Sequence, residues 1–89
     1  MNNQLTKAER EHLRRVKELP CSVCDAHPPS DAHHIKQGLQ YTVVALCKDC
    51  HQGAYNGWHG QKRLWLVKKM GELEALDVTI KRLFSKDFP

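Results

Sequence analysis

Two cysteine pairs and a histidine doublet carry most of the chemistry this sequence can perform. The pairs, 21-CSVC-24 and 47-CKDC-50, are C-x-x-C knuckles, and each such turn is tight enough to aim two sulfurs at one point. Two knuckles at this spacing read as a closed tetrahedral zinc site through Cys21, Cys24, Cys47 and Cys50. A disulfide reading needs an oxidising compartment. The opening MNNQLTKAEREHLRR is polar and charged, without the apolar core of a secretory signal. The expectation is a cytoplasmic protein with reduced cysteines and a structural zinc ion.

Between the knuckles lies 31-DAHHIKQG-38. In a β-strand successive side chains point to opposite faces, so one imidazole of His33–His34 can face a metal while the other faces elsewhere. His51 directly follows the last cysteine, and His59 lies in the Gly-flanked loop NGWHG. These four histidines bracket or adjoin the knuckles and can converge on a second metal. Imidazole suits Zn, Mn, Ni or Cu better than Mg or Ca. A neutral imidazole can also accept a proton near pH 7, as a general base must. His12, on a helix, and His27, in a Pro-rich loop, read as incidental.

The elements that must position these groups are few. A chain of 89 residues is one small domain that buries only about 60–65% of its unfolded surface. Hydrophobic residues are 40% and aromatics 7%, so the core is modest and a metal staple fits the need. Leu5, Ala8, Val16 and Leu19 recur at helical spacing, Thr6 and Glu9 fit a capping box, and Pro20 ends the run, which predicts a helix over 7–18. Residues 32–36 and 42–46 are short strand candidates joined by 37-QGLQY-41. Cys50 and His51 open a short helical turn, and 52-QGAYNGW-58 is a loop. A helix is expected over 61–70, broken by Gly71, and Leu73, Leu76, Ile80, Leu83 and Phe84 mark the face of another. The domain then divides into a basic N-terminal helix (1–20), a metal-bearing core (21–60) and C-terminal helices (61–86).

Charge narrows the partners. The net charge is +4, and Lys62, Arg63, Lys68 and Lys69 share one predicted helix without an acid. A basic surface suits a polyanion, nucleic acid first, with Lys36, Lys62 and Arg63 as expected DNA contacts. No run approaches the ~20 apolar residues of a membrane span. No Gly-rich phosphate loop is present, and no Ser/His/Asp set suggests acyl transfer. Trp65 reads as core; Trp58 either packs on the metal loop or stacks on DNA.

Taken together, "AHHIK", the extended run into "ALCKDCH" and a further histidine resemble the HNH, or ββα-metal, nuclease family. The closer resemblance is to the phage recombination-enhancement (Ref-type) RecA-dependent nucleases, whose nuclease domain has a similar "CSVC … AHHIKQ … LCKDCHQG … NGWHGQ" sequence. It covers Cys21 to Leu83. The resemblance implies an α+β fold, a zinc-stapled ββα-metal domain with flanking helices. It implies that His33, His51 and His59 hold a catalytic metal, Mg or Mn and otherwise Zn, and that His34 is the general base. The activity implied is metal-dependent hydrolysis of DNA phosphodiesters, in a phage- or prophage-encoded protein directed by RecA filaments in the bacterial cytoplasm. There are departures. The family's middle Asn is replaced by Thr42, five residues before Cys47, and Gln40, Tyr41 or Thr42 could take over its role. His59 lies eight residues beyond His51, further than in simpler HNH sequences. Residues 1–20 offer a short basic helix where Ref-type proteins carry a long basic arm. The alternative readings are a non-catalytic zinc-ribbon module that binds DNA or protein, and a structural adaptor in phage assembly. A module needs the four cysteines but has no use for HHI plus CH.

Overall fold

Thr6 starts the first helix reciprocally: its hydroxyl accepts from the Glu9 amide at 3.0 Å, and the Glu9 carboxylate accepts from the Thr6 amide at 2.8 Å. The computed structural model describes residues 4–85, and this helix, α1, runs Lys7–Lys17. There follow β1 (Asp31–His34), β2 (Val43–Leu46), α2 (Lys48–Gln52), α3 (Arg63–Val67) and α4 (Glu72–Phe84). The described residues thus form a small α+β unit with a two-stranded sheet and four helices. The first three residues of the 1–20 segment and position 86 of the 61–86 segment lie outside the described residues. Among the described residues, no helix is long and apolar enough to cross a membrane.

The strands pair antiparallel, with Asp31 opposite Leu46, Ala32 opposite Ala45, His33 opposite Val44 and His34 opposite Val43. A period of two then sorts the side chains. Asp31 and His33 share one face with Val44 and Leu46; Ala32 and His34 share the other with Val43 and Ala45. α1 covers the second face, packing Val16 and Leu19 with Val43 and Ala45. The first face joins a larger cluster with Cys21, Val23, Cys50, Trp65 and Ala75. Because both its faces are covered, β2 is buried at every position, which explains an unbroken apolar VVAL in place of alternation.

Several elements are shorter or turned relative to the sequence reading. Regular pairing ends at His34 and Val43, two residues and one residue short of expectation, although the Ile35 amide still reaches the Thr42 carbonyl at 3.1 Å. α2 begins at Lys48, earlier than the expected turn at Cys50, because Cys47 caps it and its sulfur accepts from the Cys50 amide at 3.4 Å. The helix expected over 61–70 contracts to α3. The Gln61 and Lys62 amides bond back to the Ala54 and Gly57 carbonyls at 3.0 and 3.1 Å, closing the preceding loop. Lys62 and Lys69 adopt left-handed φ of 59° and 56° on either side.

α4 packs Leu76 and Leu83 of the expected face against the two core clusters, but it is turned so that smaller residues are the fully buried ones. Its buried residues are Ala75 and Thr79, whereas Leu73 and Phe84 are 72% and 78% exposed. Small side chains let this helix approach β2 closely. The Thr79 hydroxyl survives burial because it is fully partnered: it donates to the Ala75 carbonyl at 2.9 Å, accepts from the Ala45 amide at 3.3 Å and lies 2.7 Å from the Ser22 hydroxyl. Trp65 is completely buried and donates its indole N–H to the Cys50 carbonyl at 2.9 Å. Among the described residues it is the only buried hydrophobic side chain larger than leucine. So thin a core leaves much of the stability to be supplied by something else.

Candidate metal centres

The four cysteines meet. Cys21 and Cys24 flank a turn, Cys47 caps α2 and Cys50 lies within it, and their sulfurs all fall within 4.8 Å of one another. Cys24 Sγ and Cys47 Sγ are 3.6 Å apart. Four sulfurs at about 2.3 Å from a tetrahedral zinc are about 3.8 Å apart, so the donor set fits that ion. The Val23 amide donates to Cys21 Sγ at 3.4 Å, matching the Cys50-to-Cys47 bond at the other knuckle. Without a cation two of the four thiols, Cys24 and Cys50, resist ionisation. Burial pushes the Cys24 thiol up to about 11, and burial with the Cys21 and Cys47 charges raises Cys50 further. Burial also presses Cys21 upward, but amide hydrogen bonds from Cys47, Cys24 and Val23 outweigh it and hold that thiol low. A coordinated dication reverses this balance, since ligation deprotonates a thiol outright.

Three of the histidines form a second cluster. β1 carries His33, α2 carries His51 and the following loop carries His59; one nitrogen from each lies within 4.8 Å of the others. The ring centroids are 5.1 Å (His33–His51), 5.3 Å (His33–His59) and 5.1 Å (His51–His59) apart, a nearly equilateral triangle. His33 is 4% exposed whereas His59 is exposed, so the centre opens to solvent on the His59 side. Burial, with the nearby His51 and His59 charges, keeps His33 below the usual imidazole range against the opposing pull of Glu72. A neutral imidazole is the form that ligates metals. Two carboxylates stand behind the triangle. His33 Nε2 meets Glu72 Oε2 at 2.6 Å. His51 Nδ1 meets Asp31 Oδ2 at 2.9 Å, while Asp31 Oδ1 takes Lys48 Nζ at 3.1 Å. The His51 hydrogen bond, then Lys48, hold the Asp31 carboxyl below its ordinary range despite partial burial.

The long spacing before His59 is resolved by a loop folded onto α2. The Trp58 and His59 amides donate to the Cys50 and His51 carbonyls at 2.8 and 3.1 Å, so His59 is delivered beside His51 by a direct backbone bond. The Gly57 amide bonds the Gly53 carbonyl at 3.0 Å, and the two backbones touch so closely that a Cβ on Gly57 would sit 2.5 Å from that carbonyl oxygen. Gly57→Ala must therefore push the loop off α2. We expect it to cost about 1–3 kcal/mol, the usual toll of overpacking, and to weaken metal binding at the histidines while sparing the cysteines. Differential metal titration with thermal melting checks this, and an unchanged second affinity would refute the loop's role.

His34 lies on the opposite face of β1 from His33. Its Nε2 meets Gln40 Oε1 at 2.7 Å. Of Gln40, Tyr41 and Thr42, Thr42 turns to the Leu39 carbonyl at 3.2 Å and the Tyr41 ring lies 4.8 Å from that of His12. Gln40 alone of the three has a hydrogen bond to His34 among those in the described residues.

The expected DNA contacts occupy two places. Lys36 is exposed on the hairpin connection. Lys62 Nζ stands 4.0 Å over the Trp58 ring, and the Arg63 guanidinium lies 4.8 Å from the Tyr55 ring. Trp58 also packs on Trp65 with centroids 4.7 Å apart, so of its two open readings the packing one fits. Asp31, Glu72 and Thr79 were not singled out by sequence. Asp31 had a signal, since it precedes His33 by two on a strand and must share its face; Glu72 had none. No family model, curated protein or solved structure matches this chain.

Proposed function

We propose that the protein is a metal-dependent DNA endonuclease of the HNH (ββα-metal) type, with His34 as general base. The observation that carries this reading is the division of labour between donor sets. A four-cysteine cluster is enough to staple the fold, yet a separate triangle of His33, His51 and His59 opens to solvent, with His34 braced on the other face of the same strand. Bound there, a divalent cation, Mg or Mn or otherwise Zn, would neutralise charge on the phosphate oxygens. Where Gln40 Oε1 accepts from His34 Nε2–H, the Nδ1 lone pair is left to take a proton from water as its oxygen attacks phosphorus. The bond from phosphorus to the 3′ oxygen breaks, and that oxygen leaves with a proton from solvent. Lys36, Lys62 and Arg63 would hold the DNA backbone.

Targeting follows from charge. At +4 the chain has a modest grip on DNA, and each phosphate contact contributes a salt slope of only about −0.9. Among the described residues each helix packs on the core or carries part of a metal cluster, and none stands out as an obvious reader of the major groove. We therefore assign direction to the RecA filament that the Ref-type resemblance suggests, in a phage-encoded recombination role. Nicking of supercoiled plasmid with Mg2+ or Mn2+ should be slow at physiological salt and faster for DNA within or beside a RecA filament with ATP. Equal rates with and without RecA would end the RecA reading and leave the nuclease one intact. One bound metal per chain and no cleavage under any condition would favour the zinc-ribbon module instead.

A further inference from the structure

The two carboxylates behind the histidine triangle are placed too specifically to be incidental. Asp31 is two residues before His33 on the same strand face, yet its oxygen goes to His51 on α2. Its second oxygen is fixed by Lys48, one helical turn before His51, so the carboxylate cannot swing without breaking an ion pair. Glu72 comes from the opposite end of the fold. It occupies the first position of α4, where the helix N-terminus favours negative charge, and it reaches the buried His33 39 residues away. An ionised carboxylate only accepts hydrogen bonds, so each ring nitrogen facing one must carry the proton. In a neutral imidazole the other nitrogen is then the one left to donate a lone pair.

We propose that Asp31 and Glu72 are positioning residues of the histidine centre: Asp31 makes His51 present Nε2, and Glu72 makes His33 present Nδ1. The inference rests on reading the three histidines as one metal centre, but not on any nuclease activity. It assigns opposite tautomers to two ligands of the same site, which an isolated histidine cluster would not enforce. Each brace also makes its imidazole a better donor and restricts ring rotation, so the triangle is organised before a metal arrives.

The test uses the 89-residue chain with its cysteine site already filled, titrated calorimetrically with Zn2+. Asp31→Asn and Glu72→Gln should each weaken the second Zn2+ by roughly 10–100-fold, the usual worth of such partners, with the cysteine-bound zinc and the melting temperature unchanged. His33→Ala in the same titration sets the scale for losing a ligand. Nitrogen-detected NMR of the zinc-loaded wild type, before the second addition, should show His51 protonated at Nδ1 and His33 at Nε2, and Glu72→Gln should mix the His33 tautomers. Glu72→Asp, which keeps the charge but shortens the reach, provides a second variant should Gln unfold the N-terminus of α4. Unchanged affinity in both Asp31→Asn and Glu72→Gln, or the reverse tautomers in the wild type, overturns the proposal. So does a Glu72→Gln loss as large as that of His33→Ala, which would make Glu72 a ligand. A wild type that takes up no second Zn2+ sinks the metal-centre reading itself, and so separates the two failures.

Discussion

Cys50→Ser, or removal of zinc by a strong chelator, should abolish the cooperative melting transition and leave the chain largely unfolded at 25 °C. Structural zinc sites contribute about 10–16 kcal/mol of apparent binding energy, against a net stability of about 5–15 kcal/mol for a whole domain. Here the core is thin and the knuckles hold its parts together. The Ser22 amide, inside the first knuckle, bonds the Ala45 carbonyl of β2 at 2.9 Å. Lys68 Nζ donates to the Val23 carbonyl at 2.6 Å, and Arg82 of α4 donates to the Cys21 carbonyl at 3.2 Å. The second knuckle is the cap and body of α2, on which the His59 loop lies. Losing one thiolate thus loosens β2, α2, α4 and the histidine triangle together. Circular dichroism melting with metal analysis decides the matter: a Cys50→Ser variant that melts like wild type and keeps one zinc would refute the four-cysteine assignment.

The parts of this architecture that were legible in the sequence are those set by local rules. The capping box at Thr6 and Glu9, the C-x-x-C turns and the period-two split of His33 from His34 each depend on residues within a few positions, and each appears where expected. Legibility failed where the deciding partner is distant. Nothing near Gln61 announces that its amide will close a loop at Ala54 instead of starting a helix. Leu76 and Leu83 pack on the core as expected, but Leu73 and Phe84, at helical spacing with them, stay exposed because the helix is turned so that Ala75 and Thr79 approach β2 closely. Thr79 is tolerated there only because Ser22, Ala45 and Ala75, none of them predictable partners, satisfy its hydroxyl. The histidine centre divides in the same way. His33 and His51 follow from neighbouring motifs, His59 needs a folded loop to reach them, and Glu72 is tied to His33 by tertiary packing alone.

The proposed roles of the histidine doublet predict opposite consequences for two adjacent substitutions. His34→Ala should leave both metal sites and DNA affinity near wild type, because His34 faces away from the triangle, while the cleavage rate falls by ~10²–10⁴, the usual contribution of a positioned general base. His33→Ala should weaken metal binding first and activity through it, and raised Mn2+ should restore part of the rate. Gln40 should matter much less than the base it steadies. A net hydrogen bond contributes about 0.5–1.5 kcal/mol, so Gln40→Leu should slow cleavage by roughly 2–10-fold, with metal content unchanged. That ordering is the discriminating feature, since a purely structural doublet would make all three variants lose activity in proportion to their loss of stability. Single-turnover rates, melting temperatures and metal content measured on the same preparations separate the cases. If His34→Ala cleaves normally while His33→Ala alone is dead at every Mn2+ concentration, the two roles are reversed: the buried imidazole of the triangle would then be the base, and the strand would face its chemistry from the other side.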